Sequence, residues 1–300
     1  MGPTATGKSA LALAGAQALG DVEIVSVDSM LVYRGMDIGT AKPTVEERAG
    51  VVHHLLDVAE PTEDYSVARF QREAAEALTA IEARGRRGLL VGGTGLYFQA
   101  VVDGLHLPGE DLALRAELEA RAAAPAGLAG LYHQLADLDP VAADRIEPRN
   151  RRRVVRALEV MLVTGRAFSS YGPGVFGAVG SPLPVRVAGV WMPRSIGAGR
   201  IAERVRGMAA AGLVDEVRRL AAAPGGLSRT ARQAIGYKEV LDYLDGVVPS
   251  LEMALNRAVD RTRALARRQR MWFRRDRRIS WFGVGENPVA SLPALLATWR

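Results

Sequence analysis

The chain has 300 residues, of which 48% are hydrophobic and 24% charged, as is typical of a globular protein with one large domain or one domain carrying an insertion. The absence of cysteine excludes disulfides and thiolate metal sites, and no apolar run reaches the length of a membrane span, so we expect a cytoplasmic protein with no membrane partner. A formal net charge of +6 favours an anionic partner.

A phosphate-binding motif opens the chain. The run Gly2-Pro3-Thr4-Ala5-Thr6-Gly7-Lys8-Ser9 matches G-x-x-x-x-G-K-[ST], the loop whose backbone N–H groups surround a chain of phosphates. In this pattern Lys8 reaches terminal phosphate oxygens and the Ser9 hydroxyl is placed for Mg²⁺. A helix predicted from Lys8 to Leu19 adds its positive N-terminal end. The motif predicts binding of a nucleotide such as ATP or of a diphosphate. The alternative is a glycine-rich helix start that binds no ligand.

Two predicted strands lead to further polar residues. Val22–Val27 is rich in β-branched residues and delivers Asp28 at its carboxyl end, where open α/β sheets bind ligands. Asp28 is therefore a candidate for holding Mg²⁺ through water or for accepting a proton, or else it caps a turn. Gly88–Val91 is the second strand, and the turn after it offers the Thr94 hydroxyl to the same ligand. Because no carboxylate ends this strand, a nucleotide-hydrolysing motor is disfavoured.

The rest of the chain predicts helices with few strands. Residues 29–43 are expected to form a functional loop, and Ser66 to cap a helix that runs to about Arg84. The pattern is helical throughout from 111 to about 165, and residues 165–184 are rich in Gly, Pro and Ser, as in a returning loop. The elements predicted after this loop are a strand at Val185–Trp191, helices at 195–211, 213–223, 236–245 and 249–273, an edge strand at Ile279–Phe282 and a closing helix at 289–299.

These elements predict an α/β fold with a parallel-sheet core of the P-loop, nucleotide-kinase-like type. The core would comprise residues 1–108 and 181–300, and an all-helical insertion domain would span 109–180. A phosphate loop normally follows a strand, yet only Met1 stands before Gly2. We therefore expect the first strand to be missing from the printed sequence, either because the start codon was set too late, which we favour, or because the chain was cut.

Arginines cluster in two places. Residues 149–156 open a helix of the predicted insertion, and residues 261–278 line the C-terminal helix and its exit, beside Trp272 and Phe273. Both clusters would attract a phosphate backbone, although a solvated helix face explains such runs almost as often. Arg200 and Arg204 share a helix face and could reach a diphosphate. The histidines lack metal-ligand spacing, so we interpret them as structural.

Taken together, these segments closely resemble the tRNA dimethylallyltransferases, also called tRNA isopentenyltransferases. The resemblance extends over essentially the whole chain, because the matching segments occur in the family's order. They are Gly2–Ser9, Asp28–Tyr33 with Gly35–Pro43, Val91–Tyr97, Arg153–Val160, Ile235–Lys238 and Arg267–Trp272.

The resemblance implies transfer of a dimethylallyl group from dimethylallyl diphosphate to the exocyclic N6 amine of an adenosine adjacent to the tRNA anticodon, with release of diphosphate and with Mg²⁺ as cofactor. A monomer would bind the tRNA anticodon stem-loop through the helical insertion and the basic surface. The target base would flip out of its stack to reach the site.

The resemblance also implies individual roles. Gly2 to Ser9 would bind the diphosphate, Ser9 the Mg²⁺, and Asp28, Thr94 and Arg204 would be catalytic, as general base, phosphate contact and transition-state arginine. The implied tRNA contacts are Asp28, Ser29, Met30, Leu31, Thr94, Arg115, Arg152, Arg153, Val154, Val155, Arg156, Gln233, Ala234, Ile235, Gly236, Tyr237 and Lys238.

Three alternatives stay open at the level of sequence. An adenylate isopentenyltransferase would use the same donor on free AMP, although so small an acceptor needs neither the insertion nor the basic clusters. A small-molecule kinase would transfer phosphate from ATP. A non-catalytic RNA-binding protein would keep the loop as a vestige.

Overall fold

The computed structural model describes residues 1–171 and 183–299. The chain divides into two compact units, the first formed by Met1–Val102 and Leu183–Arg300, and the second by Asp103–Pro182. Part of the predicted returning loop, residues 172–182, lies outside the described residues. No helix in the described ranges combines the length and apolar character needed to cross a membrane.

The first unit begins with helices alternating with short strands. Helix α1 runs from the phosphate loop to Gly20, whose left-handed φ of 77° ends it as predicted. Strand β1 is buried along its whole length, which suits a strand covered on both faces. The elements in chain order are α1 (Lys8–Leu19), β1 (Val22–Val27), β2 (His53–His54), α2 (Val67–Ala83), β3 (Arg87–Gly92) and α3 (Gly95–Val102).

The first sheet has the strand order β2-β1-β3, and both pairs are parallel. Val27 lies opposite Gly92, so the carboxyl ends of β1 and β3 meet at one edge and bring Asp28 close to the turn after β3. The sequence did not predict β2, because two histidines carry neither the length nor the β-branched pattern of a strand. Ser66 caps α2 as predicted, since its hydroxyl accepts a hydrogen bond from Arg69 N at 3.1 Å.

The second unit is helical wherever it is described. Its core is formed by apolar residues of all four helices, including the fully buried Leu118, Leu135 and Leu158. Asp111, Asp139 and Asn150 cap three of these helices through side-chain oxygens. The helices are α4 (Leu112–Ala123), α5 (Gly127–Leu138), α6 (Pro140–Arg145) and α7 (Arg151–Thr164), followed by a 3₁₀ turn at Phe168–Tyr171.

The returning segment completes the first unit with a second parallel sheet. Its elements are β4 (Val187–Trp191), α8 (Arg194–Ala210), α9 (Leu213–Ala222), α10 (Tyr237–Leu244), α11 (Leu251–Phe273), β5 (Ile279–Gly283) and α12 (Leu292–Ala297). Strand β4 pairs only with β5 among the named strands of the described chain. The main chain of Met1 lies against β4 instead, donating to Ala188 O at 2.7 Å and accepting from Val190 N at 2.9 Å. These two bonds place the phosphate loop beside the carboxyl end of β4.

Candidate active site at the phosphate loop

The backbone of residues 2–9 takes the tight course that a phosphate loop requires. Gly2 has φ of 152°, and a Cβ there would overlap Val190 O. Gly7 has φ of 81°, and a Cβ there would overlap the ring of Pro288. Ala5 is also left-handed, with φ of 63°, a conformation that costs a non-glycine residue about 1–2 kcal/mol. Strain of this kind is found where a loop is shaped for a ligand.

Lys8 is folded onto its own loop. Its Nζ donates to Pro3 O at 2.6 Å, and the same carbonyl accepts from Thr6 Oγ1 at 2.9 Å. Burial lowers the pKa of Lys8 to about 8, an effect that Asp28 opposes and Arg204 reinforces. Asp28 and Arg204 therefore lie close enough to Lys8 to act on its charge. An arriving anion would meet two cations and one carboxylate.

Asp28 is held in place by the loop that follows β1. Its Oδ1 accepts hydrogen bonds from Met30 N at 2.8 Å and Leu31 N at 3.4 Å, so the carboxylate also caps this turn. Oδ1 alone makes both bonds, which leaves Oδ2 for another partner. The two roles predicted as alternatives for Asp28, turn cap and reactive carboxylate, are thus compatible.

Thr94 joins the turn after β3 to the loop after β1. Its N–H donates to Val27 O at 3.3 Å, and its Oγ1 accepts from Ser29 N at 3.3 Å. The residue therefore lies beside Asp28, at the edge where the parallel strands end. Sequence reasoning placed Thr94 toward the same ligand as the phosphate loop, and the structure brings both to this edge.

Arg204 approaches the phosphate loop from α8. Its Nη1 donates to Thr4 Oγ1 at 3.4 Å, and its side chain is exposed. Arg200, one turn earlier, donates from Nη2 to Glu286 O at 2.8 Å. Of the two arginines predicted to reach a diphosphate, Arg204 is the one in contact with the loop.

The loop at 35–43 is fixed by a buried carboxylate. Glu216 Oε2 accepts from Asp37 N at 3.1 Å and Ile38 N at 2.9 Å, while Oε1 accepts from Gly39 N at 3.2 Å and from the Tyr237 hydroxyl. Burial, together with this bond to Glu216, raises the pKa of Tyr237 above its ordinary value. The loop predicted to be functional is thus held by α9 and α10.

A buried lysine holds the same loop from its other end. The Lys42 side chain is only 3% exposed, and its Nζ contacts Asp37 at 2.7 Å, Asp57 at 2.5 Å and Tyr33 O at 2.6 Å. These contacts satisfy all three protons of the ammonium group. Lys42 therefore has a structural role in this loop.

The predicted RNA contacts at 233–238 differ in exposure. Gln233 is exposed, Lys238 is half-buried and paired with Asp242 at 2.9 Å, and Tyr237 is completely buried. The Tyr237 ring therefore offers no surface to an RNA in this structure, and its hydroxyl is engaged by Glu216. The remaining residues of this segment are Ala234 and Gly236, which are buried, and Ile235, which is half-buried.

The predicted RNA contacts of the second unit fall into two groups. Arg115 and Arg156 both pair with the fully buried Glu159, at 2.9 Å and 3.0 Å. Arg152 and Arg153 are exposed, and neither side chain has a hydrogen-bond or ion-pair partner among the described residues. Val154 and Val155, between these groups, are buried in the core of the unit. Among the predicted RNA contacts of this unit, Arg152 and Arg153 are therefore the arginines whose guanidinium groups are available to a polyanion.

Magnesium would have few protein ligands here. The described part of the chain contains no group of three or more His, Asp or Glu side chains arranged to hold a metal. Ser9 is exposed in the first turn of α1, as the last residue of the phosphate loop in the chain. Mg²⁺ commonly takes one or two protein oxygens together with phosphate oxygens and water, so a single hydroxyl fits the ion when a diphosphate is bound.

These features define a class of protein: an α/β protein of the P-loop type, with a phosphate-loop motif, a carboxylate and an arginine at the carboxyl edge of parallel strands. The model of the IPP transferase family matches residues 31–276. A tRNA dimethylallyltransferase of Moorella thermoacetica is 47% identical over 99% of this chain and 92% of its own length. Its counterpart in Salinispora tropica is 50% identical over 97% of this chain and 89% of its own length.

Solved structures agree with these sequence relatives. The tRNA isopentenylpyrophosphate transferase of Bacillus halodurans superposes with a TM-score of 0.70 at 41% identity, covering 99% of this chain and 94% of that one. A eukaryotic dimethylallyltransferase described as acting on tRNA gives a TM-score of 0.81 at 26% identity, covering 99% of this chain and 76% of the other. The chain belongs to the tRNA dimethylallyltransferase family.

Sequence reasoning assigned no role to three residues that shape this site: Glu216, Lys42 and Gln269. The first two fix the loop at 35–43, and the Gln269 amide contacts the phosphate loop and the turn after β3. None of the three carries a local signal of these contacts, although Lys42 stands in the loop predicted to be functional and in the matching segment Gly35–Pro43. Gln269 does stand inside a segment that matches the family, which is the one sequence feature that could have drawn attention to it.

Proposed function

We propose that this protein transfers the dimethylallyl group of dimethylallyl diphosphate to the N6 amine of an adenosine adjacent to the anticodon of a tRNA. The observation that carries this proposal is the meeting of the phosphate-loop motif and the Asp28 carboxylate at one edge of the sheet, where Gln269 joins the loop to the turn after β3 and Thr94 joins that turn to Ser29. A group transfer with an anionic leaving group and an amine nucleophile needs both functions in one place. The family relationship supports the same reaction.

In the proposed reaction, the diphosphate lies in the loop formed by residues 2–9. The bond between C1 of the dimethylallyl group and the diphosphate oxygen breaks, and its electron pair leaves with the diphosphate. Lys8 and Arg204 would neutralise the charge that develops on this oxygen. Thr4 adds a hydroxyl group beside Arg204, and Thr94 adds one beside Ser29 N, next to Asp28. Mg²⁺ held by the Ser9 hydroxyl would supply further charge neutralisation when bound.

The acceptor amine requires help from a base. The lone pair of adenine N6 is delocalised into the ring, so N6 becomes a better nucleophile as its proton is removed. In the proposed step N6 bonds to C1 and its proton passes to the Asp28 carboxylate, whose Oδ2 is not used by the turn. A base inside a stacked anticodon loop cannot reach this carboxylate, so we propose that the adenosine flips out.

The exposed arginines support binding to a structured RNA. Arg152 and Arg153 present unpaired guanidinium groups, and Arg267 and Arg268 are exposed near the end of α11. Contacts of this kind would be made to the phosphates of the anticodon stem-loop and would weaken with salt. We propose that the protein acts as a monomer in the cytoplasm, as a single tRNA needs no second copy of the site.

Replacement of Asp28 by Asn tests the proposed base. The Asn oxygen can still accept from Met30 N and Leu31 N, so the turn is preserved while the proton acceptor is lost. We expect turnover to fall roughly 10²–10⁴-fold, with tRNA affinity changed less than about threefold. Asp21→Asn, an exposed change at the opposite end of β1, is the matched control and should keep wild-type turnover.

Two outcomes would contradict this role. Equal losses of tRNA affinity and turnover in Asp28→Asn would make Asp28 an RNA anchor. Wild-type turnover in this variant would remove Asp28 from the chemistry. The same assay separates other functions, because preference for AMP would indicate an adenylate isopentenyltransferase and phosphate transfer from ATP would indicate a kinase.

A further inference from the structure

Gln269, near the end of α11, makes two hydrogen bonds to segments far from it in sequence. Its Oε1 accepts from Thr4 N at 2.8 Å, and its Nε2 donates to Gly93 O at 2.9 Å. Thr4 belongs to the phosphate loop and Gly93 to the turn after β3. One side-chain amide therefore joins two loops of the candidate active site through their main chains.

The packing around the turn shows that α11 is fitted closely to it. A Cβ at Gly93 would overlap the Gln269 amide and would also lie 3.3 Å from Gly2 O. A Cβ at Gly95 would overlap the indole of Trp272, on the same helix. Both glycines thus allow the helix to approach the turn at the distance that the Gln269 bonds require.

The contacts of Gln269 continue to the carboxylate. From Gly93 the chain passes to Thr94, whose Oγ1 accepts from Ser29 N, next to Asp28. Gln269 therefore connects the phosphate loop to the turn after β3, and Thr94 connects that turn to the loop after β1. Lys8 stands at one end of this series and Asp28 at the other, so the amide of Gln269 is one of the contacts that fix their separation, together with the bonds of Met1 to β4.

We propose that Gln269 is a positioning residue that sets the phosphate loop relative to Asp28, and hence the diphosphate relative to the acceptor amine. This inference rests on the proposed function. In the proposed arrangement Gln269 acts through main-chain groups, because its Oε1 accepts from Thr4 N and its Nε2 donates to Gly93 O. The Thr4 N–H is likewise directed to Gln269, so the diphosphate is bound by other groups of the loop.

The chemistry of an amide distinguishes this role from simple filling of space. Gln269 must accept at one atom and donate at the other. A glutamate of the same shape accepts at both atoms and repels Gly93 O when ionised, whereas a protonated glutamate again accepts and donates. The Gln269→Glu variant should therefore recover activity as the pH falls, and a residue needed only for packing would show no such recovery.

The test compares Gln269→Ala and Gln269→Glu with Asn256→Asp. The last variant makes the same amide-to-carboxylate change at an exposed position of α11 and serves as the control. The measurements are kcat and KM for dimethylallyl diphosphate and tRNA between pH 6 and 8.5, and hydrogen exchange of the peptides that contain residues 2–9 and 92–97.

For Gln269→Ala we expect kcat to fall about 10²-fold, the loss typical of a reacting group displaced by about 1 Å, with KM for tRNA changed less than threefold. Exchange should accelerate in the two loop peptides and remain unchanged in peptides of α2. Gln269→Glu should show a similar loss at pH 8.5 and a several-fold smaller loss at pH 6. Asn256→Asp should match the wild type throughout.

Three results would overturn the proposal. They are kcat within twofold of wild type in Gln269→Ala, unchanged exchange in both loop peptides, and acceleration of exchange across the whole protein, which would mean general destabilisation. Failure of the proposed function is distinguishable, because it would appear as absence of transfer by the wild type. The exchange comparison needs no substrate and tests the link between the loops in either case.

Discussion

Glu216→Gln is the perturbation whose effect on stability can be worked out most directly from the structure. The carboxylate accepts four hydrogen bonds, three from main-chain N–H groups of residues 37–39 and one from the Tyr237 hydroxyl. Glutamine has one carbonyl oxygen, so its NH₂ group must face one of the two pairs of donors. The preferred orientation keeps the oxygen toward Asp37 N and Ile38 N, which are both N–H donors.

In that orientation Gly39 N–H loses its acceptor, while the Tyr237 hydroxyl can rotate to accept from the new NH₂ group. The loss is one hydrogen bond to a charged acceptor and the charge itself, which together correspond to about 2–3 kcal/mol. Tyr237→Phe removes one hydroxyl and leaves Oε1 with Gly39 N, so we expect about 1 kcal/mol. Because the two residues are in contact, their effects should not be additive.

Urea unfolding of both variants and of the double variant measures these differences. Asp215→Asn is the matched control, since this neighbouring acid has a side chain that is 78% exposed and pairs only with Arg218 among the described ion pairs. We expect a change below about 0.5 kcal/mol there. A Glu216→Gln protein as stable as Asp215→Asn would refute the inference that this carboxylate holds the loop at 35–43.

Three further predictions concern charge. The affinity for inorganic diphosphate should fall as the pH rises above about 8, because Lys8 of the free protein loses its proton there. Binding at pH 8.5 should therefore take up protons, which calorimetry in two buffers of different ionisation enthalpy measures. An identical proton uptake by the Lys8→Met variant would contradict this prediction. Charge removal at Arg152 and Arg153 should weaken tRNA binding. It should also lower the magnitude of the slope of log affinity against log salt concentration by about one per arginine. An unchanged slope would show that these residues do not contact the RNA. The Arg84 guanidinium lowers the pKa of the buried Glu23 to about 2, against the effect of burial and with help from His54. Because this pKa is depressed, the stabilisation by Glu23 is complete above pH 4.5 and is lost as pH falls toward 2. The stability difference between wild type and Glu23→Gln, measured by unfolding, should shrink over that range; a constant difference would refute this.

The sequence predicted the elements whose signals are local. Lys8–Leu19 and Val22–Val27 have the predicted bounds, because periodicity, β-branching and a terminal glycine all act within a few residues. The sequence did not predict β2, because its two histidines form a strand only through their pairing with β1. In residues 1–171 and 183–299 the five strands form two sheets rather than one, an arrangement that depends on pairing partners and not on the pattern of any strand.

In the candidate site, too, contacts between neighbouring segments could be predicted and contacts between distant segments could not. Asp28 and Thr94 follow β1 and β3 directly, so the parallel pairing of these strands was enough to predict that the two residues lie at one edge. The phosphate loop is preceded only by Met1 in the printed sequence, and its position depends on main-chain bonds to β4 that no pattern reports. Gln269 and Glu216 act on segments more than a hundred residues away, and no spacing in the sequence reports such contacts. Arg115 and Arg156 stand among arginines implied to bind RNA, but the buried Glu159 engages both, a pairing that only the packed helices reveal.

The most direct measurement of the proposed function is mass analysis of the nucleosides of unmodified tRNA after incubation with the protein, dimethylallyl diphosphate and Mg²⁺. The expected result is an adenosine that carries one dimethylallyl group, found only when all components are present and mapped beside the anticodon. The reaction should release one diphosphate per modified adenosine. Unmodified tRNA, together with modification of free AMP or transfer of phosphate from ATP under the same conditions, would contradict the proposed function.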